Sequence, residues 1–342
     1  MKSIYTSILL LFSAMPVFSQ TTIGKYGGEF LSLGVGSRSF AMGGASVALV
    51  NDVTAGYWNP SALTSLRNTQ LALMHEERFG NILNYDYVSV GLPFENNSAL
   101  GISAIRLAAD NNFDTRGALI DVNTGQTITN INNPNARIDV SKVKTFSVAD
   151  VAIFFSYAKQ QFDNLSLGAN VKLIRRDNAE FNAFGIGFDV SAQYSVNENF
   201  LLGANFQDVT TTFLSWNTGR NELISPTLKI GGAYLFDVIG GQFAPAVDFD
   251  VRFENRQYAS NFHLGGMSFD VHTGVEYLYK KLLAFRAGYS EIGQLTYGGG
   301  IHLGKMLIDY SFMQFSATNQ FNTHRISLLF SFESQSNILK TQ

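Results

Sequence analysis

Between Gln70 and Phe332 the chain alternates apolar with polar or small residues, in about fourteen segments separated by turns. Successive side chains of a strand point to opposite faces, so such a period of two writes a two-faced sheet. From Phe184 to Val190 the apolar set is Phe184, Ile186, Phe188 and Val190, with Gly185, Gly187 and Asp189 opposite and Ser191 and Gln193 continuing that face. Between Phe243 and Phe253 the split is sharper: Phe243, Val247, Phe249, Val251 and Phe253 against Asp248, Asp250 and Arg252. A soluble sandwich would bury that apolar set equally well, so one strand does not choose between folds. The turns do. If the first strand runs outward, the inner turns fall at 95–98, 161–164, 196–199, 237–241, 278–281 and 304–305, all tight. The outer connections include 108–147, 209–226, 253–269 and 314–322, all much longer. Short turns on one side, long loops on the other and an even strand count are the asymmetry of bacterial outer-membrane barrels. The expected fold is therefore all-β: an antiparallel up-and-down transmembrane barrel of about 14 strands.

Composition agrees. Hydrophobic residues reach 46%, yet past the N-terminus there is no unbroken apolar stretch of the roughly 18 residues that a membrane helix needs. Charged residues are 15%, below the usual share of about 25%, as expected where much of the surface meets lipid. The net charge of −3 gives no reason to invoke nucleic acid. Zero cysteines exclude disulfides, thiol nucleophiles and thiolate metal sites.

The N-terminus supplies the compartment. Lys2 precedes an apolar run that continues to Phe18 and ends on small Ser19, which reads as a secretory signal peptide over 1–19 cleaved before Gln20. Export followed by barrel strands places the chain in the outer membrane. The reading then divides the mature chain into a plug or hatch segment at 20–68, the barrel at 69–333 and a short tail at 334–342.

The plug is dense in small residues across 34–63, GVGSRSFAMGGASVALVNDVTAGYWNPSAL. Gly43 and Gly44 permit close backbone approach or positive φ, and Asp52 can cap the short run that follows it. Trp58, Asn59 and Pro60 end that run, because Pro60 pushes Asn59 out of the α region. Neither the GxGxxG order nor a Walker lysine is present, so these glycines do not make a phosphate loop.

The same segment, with FLSLGVG leading into it, resembles the N-terminal motif of the PorV/PorQ family, which belongs with FadL-like outer-membrane barrels. DTRGALID at 114–121, GANVKLIRR at 168–176, QDVTTT at 207–212, YGGGIHLGKMLIDYSF at 297–312 and THRISLLFSF at 323–332 fit the resemblance too. It implies a 14-stranded barrel of the Bacteroidetes-type outer membrane, associated with type IX secretion. The implied partners are secretion components or the C-terminal signal domains of secreted cargo, beside outer-membrane lipid.

Other residues invite sharper readings. Asp121-Val-Asn123-Thr-Gly125 begins like a calcium loop, but glycine at its fifth position and Asn132 in place of a bidentate glutamate favour an Asx-rich turn. No two of the five histidines have zinc-helix spacing, although His302 and His324 could approach each other across the closing strands. Metal, cofactor and catalytic residues are therefore all expected to be absent. Lys172, Asp189, Asp248, Asp250, Arg252, Arg286 and Arg325 read as mutually neutralising charges in a water-accessible lumen. The apolar residues Phe113, Leu119, Ile120, Ile128 and Ile131 of the longest outer loop read as a partner-binding surface. The favoured function is then a non-enzymatic platform for secretion or surface attachment of cargo. The alternative is FadL-like transport of a hydrophobic small molecule, with the plug as a movable hatch.

Overall fold

A computed structural model describes residues 28–80, 82–254, 256, 260–290, 293–313 and 322–332. The expected signal peptide and C-terminal tail lie outside the described residues. Strand β1 (Thr69–Arg78) opens the wall, followed by β2 (Leu83–Phe94) and β3 (Ser98–Asp114). The loop after β3 carries its own two-stranded ribbon, β4 (Leu119–Asp121) with β5 (Ala136–Ile138). The wall resumes with β6 (Lys144–Phe162), β7 (Leu165–Asn178) and β8 (Phe181–Ser195). Its next strand is broken into β9 (Phe200–Gln207) and β10 (Thr212–Trp216), both pairing with β8. The following one is in three collinear pieces, β11 (Asn221–Ile224), β12 (Thr227–Tyr234) and β13 (Phe236–Val238). Then come β14 (Gly241–Arg252), its extension β15 (Phe262–Leu264), β16 (Met267–Tyr279), β17 (Leu283–Tyr289), β18 (Leu295–Leu303), β19 (Met306–Met313) and β20 (Thr323–Phe332). Every ladder is antiparallel, and β20 pairs back onto β1 from Thr69↔Phe332 to Glu77↔His324. With the interrupted pieces joined, the result is a closed barrel of fourteen strands, and closure leaves no free sheet edge.

Alternation decides which face each side chain takes. On β8, Phe184, Ile186, Phe188 and Val190 are exposed on the outside, while Ala183, Gly185, Gly187, Asp189 and Ser191 are buried inside. Among the described residues no helix is long and apolar enough to cross a membrane; the strands do the crossing.

Two stretches differ from the sequence expectation. The segment 209–226, expected as a loop, is largely a hairpin of β10 and β11, because alternation resumes at Thr212-Phe-Leu-Ser-Trp and these residues pair with β8 and β11. The connection between β7 and β8 shrinks to Ala179 and Glu180, with Ala179 at φ 54°, so the outer side is not uniformly long-looped.

The interior is filled by residues 28–68, which contain a 3₁₀ turn at Glu29–Ser32, helix α1 (Ser37–Ala41), helix α2 (Ala55–Trp58) and a second 3₁₀ run at Pro60–Ser65. Val35, Val53, Tyr57, Trp58 and Leu63 of this segment pack with Tyr85, Ile105, Phe154 and Leu214 of the wall. Inward-facing glycines let plug backbone lie directly on the wall. A Cβ on Gly288 would stand 2.2 Å from Gly43 N, and one on Gly168 would stand 2.3 Å from Ser61 N.

Candidate functional site

The plug is fastened by polar contacts at discrete points. Gly43 and Gly44 both have positive φ, 66° and 92°, where a side chain is strained. They bring the backbone under His272, whose Nδ1–H donates to Gly43 O at 2.8 Å. Asp52 accepts from Thr54 N at 2.8 Å and from Thr54 Oγ1 at 2.5 Å, ordering the approach to α2. Trp58 Nε1 donates to Val35 O at 2.9 Å, tying the plug to itself. Asn59 is extended (φ −161°, ψ 92°), as the following Pro60 requires, and its amide donates to Val47 O and to Ala192 O of the wall.

The inward charges form separate groups. Lys172 Nζ lies 2.8 Å from Asp189 and 2.7 Å from Asp208 at the break between β9 and β10. Asp248 accepts from the amides of Ser46 and Val47 at 2.6 and 2.7 Å and so holds plug backbone. Asp250 pairs with Lys229 and stands 3.5 Å from His272 Nε2. Arg252 and Arg256 share Asp270, at 3.9 and 2.5 Å. Arg286 donates to Glu276 and to Asp309, each at 2.5 Å, while Arg38 of α1 grips the same Glu276 through two bonds of 2.9 and 2.8 Å. Arg325 pairs with Glu76 and donates to Leu33 O and Gly34 O of the plug. Sequence reading found the wall charges by their parity. It missed Glu76 and Arg38, whose roles come from strand closure and plug seating, and Lys229, Asp208 and Asp270, which pair with charges on nearby wall strands. The only local hint was polar residues standing on the same alternate positions.

Two cavities flank the plug inside the barrel. On the long-loop side a vestibule of about 670 Å³ is lined by Phe40, Trp58, Arg78, Arg252, Arg256 and Arg325 among others. On the short-turn side a cavity of about 240 Å³ touches Arg38, Asp52, Glu276, Arg286 and His302. Helix α1 stands between them, with Phe40 on the vestibule and Arg38, bonded to Glu276 through two hydrogen bonds, on the smaller cavity. A doubly hydrogen-bonded guanidinium–carboxylate pair is directional and breaks when the helix shifts, so it can serve as a latch.

The remaining candidates fall elsewhere. His302 on β18 faces the lumen and His324 on β20 faces outward beside Tyr310, so the wall separates them; opposite parity, with β19 between the two strands, is the reason. Asp121 accepts from Asn123 N at 2.8 Å in an Asx turn. In the outer loop, Phe113 and Ile131 are about three-quarters exposed, but Leu119 and Ile120 are half-buried in the ribbon and Ile128 is half-buried beside it, its N–H donating to Leu119 O. Only part of the expected apolar surface is therefore presented. Also outside the membrane, Asp139 caps the 3₁₀ turn Val140–Lys142 by accepting from Ser141 N and Oγ, which holds its carboxyl below the ordinary range, and hydrogen bonds from Arg116 lower that of Glu180.

No protein-family model matches the chain, and neither does any curated protein. Solved structures match over nearly its whole length. The toluene transporter TodX of P. putida aligns with a TM-score of 0.58 at 13% identity, covering 88% of this chain and 99% of that one. The Ralstonia pickettii toluene transporter TbuX gives 0.55 at 14%, with 88% and 99% covered, and a Pseudomonas aeruginosa FadL homologue gives 0.54 at 10%, with 87% and 98%. At such identities the likeness is one of fold, and the PorV/PorQ resemblance gains no support from it. The chain is a fourteen-stranded outer-membrane barrel of the FadL-like fold.

Proposed function

We propose that the barrel passes hydrophobic small molecules across the outer membrane, with the 28–68 segment as its gate. The observation that carries this reading is the pair of cavities separated by a short helix held through Arg38 and Glu276. A plug serving only as filler would need no separable latch. Its neighbours in fold, described as toluene transporters and a monoaromatic hydrocarbon channel, support the same direction. The vestibule adds a preference. Among the described lining residues, Arg78, Lys229, Arg252, Arg256 and Arg325 face Glu29, Asp250 and Asp270, and an apolar molecule bearing an acid group suits that excess of cations.

The test is uptake into proteoliposomes carrying the purified barrel, with labelled toluene and octanoate as probes. Uptake above that of protein-free vesicles is expected for octanoate first; no uptake of either probe would contradict the reading. A second reading, a platform for type IX secretion cargo, is favoured by the exposed Phe113 and Ile131. Its test is a mild-detergent pull-down from native membranes, in which co-purifying secretion components would support it and a lone barrel would not.

A further inference from the structure

The outward face of β1, β2 and β3 carries a contiguous row of ionisable side chains among otherwise apolar positions. His75, Asp86 and Arg106 have the same parity as Leu73, Val88 and Ile102, so they point toward the membrane and not into the lumen. The register makes them direct neighbours, with His75 opposite Asp86 and Asp86 opposite Arg106. His75 Nδ1–H donates to Asp86 at 2.7 Å, and Arg106 reaches Asp86 and Asp110, each at 3.4 Å. Glu77 stands 3.9 Å from His75. All five side chains are between two-fifths and three-fifths exposed, so they are available to a ligand.

Just below this row, toward the membrane centre, lies a groove of about 510 Å³. Leu73, Val88, Ala104, Val151, Ile326 and Leu328 line it, and its upper rim is His75, Asp86 and Arg106. The small Ala104 between bulkier neighbours gives it depth. Since β3 runs from a tight turn toward the long loop, the charged rim lies at the extracellular end and the groove faces the outer leaflet.

We propose that this face is a site for one acyl lipid with a zwitterionic phosphate-and-amine headgroup. The bilayer that surrounds the wall is what covers the groove, and the rim decides which lipid. Asp86, Glu77 and Asp110 outnumber Arg106, so a purely anionic headgroup meets net repulsion. A zwitterion satisfies both signs: its phosphate accepts from Arg106, its ammonium donates to the carboxylates, and its chain fills the apolar channel. None of these side chains contributes to the plug latch, so the site stands or falls independently of the transport reading.

Native mass spectrometry of the detergent-purified barrel, titrated with phosphatidylethanolamine or phosphatidylglycerol, tests this. The two probes share the phosphate, and only the first carries an amine. The wild-type barrel is expected to retain one phosphatidylethanolamine under activation that strips phosphatidylglycerol. Arg106→Ala and Ala104→Trp, the second filling the groove, should each lower that retention about tenfold, while Val190→Trp on the far wall should not change it. Heat-modifiable migration confirms that each variant is folded, and Arg106→Ala keeps the test open if Ala104→Trp does not assemble. Equal retention of the two lipids by the wild type, or unchanged retention in a folded Arg106→Ala barrel, would overturn the proposal.

Discussion

Arg325 and Glu76 have no exposed surface; Glu76 is the counter-charge of Arg325 and is shared with Arg78. Burying charges is costly, and removing Glu76 leaves the buried Arg325 without a carboxylate, at about 3–5 kcal/mol. Glu76→Gln is therefore expected to lower barrel stability by about that amount in urea titration, with Glu76→Gln/Arg325→Met recovering part of the loss. A single variant that unfolds at the wild-type midpoint would show that the pair is dispensable. That Arg325 faces inward follows from alternation in ThrHisArgIleSer, but its partner does not. Glu76 sits 249 residues away and meets it only because the last strand closes on the first. His302 and His324 teach the converse, since proximity in the closing strands means nothing when parity puts the rings on opposite faces.

Strand faces were the most legible feature at the scale of elements, because a lipid-facing wall enforces the period of two at nearly every position. Phe188→Arg and Phe249→Arg put a charge on the lipid face and should each cost about 2–4 kcal/mol if near the midplane, seen as reduced heat-modifiable barrel after refolding. Wild-type yield in both would contradict the assigned faces. The plug was readable as small-residue-rich and Pro-terminated, but not in its seating. Gly288 and Gly168 look like ordinary strand glycines in sequence, and only the fold reveals that plug backbone lies against them. Gly288→Val should unseat the plug while leaving the wall closed, making residues 28–68 newly sensitive to protease in folded barrels; continued resistance would mean that the contact is not needed. The β10–β11 hairpin escaped because its polar turn residues resemble a loop until pairing with β8 extends the wall.

For the whole molecule, strand parity fixes which connections share a side. The chain has no cysteine, so single introduced ones report cleanly: Asn130→Cys in the β3–β6 loop should label on intact cells and Asn197→Cys in the β8–β9 turn should not. Equal labelling with a sealed outer membrane would reject the topology. Barrel architecture and compartment were legible because turn asymmetry and alternation are global patterns; transport or secretion was not, because both use the same wall. The choice turns on whether the plug must move. A Cβ on Gly56 would lie 3.2 Å from Ser156 Oγ on β6, close enough for a disulfide between plug and wall. The decisive measurement is octanoate uptake by proteoliposomes of the Gly56→Cys/Ser156→Cys barrel, oxidised and then reduced. A gating plug predicts that uptake falls to the protein-free level when oxidised and returns on reduction, whereas undiminished uptake through a barrel shown to be fully cross-linked would contradict it.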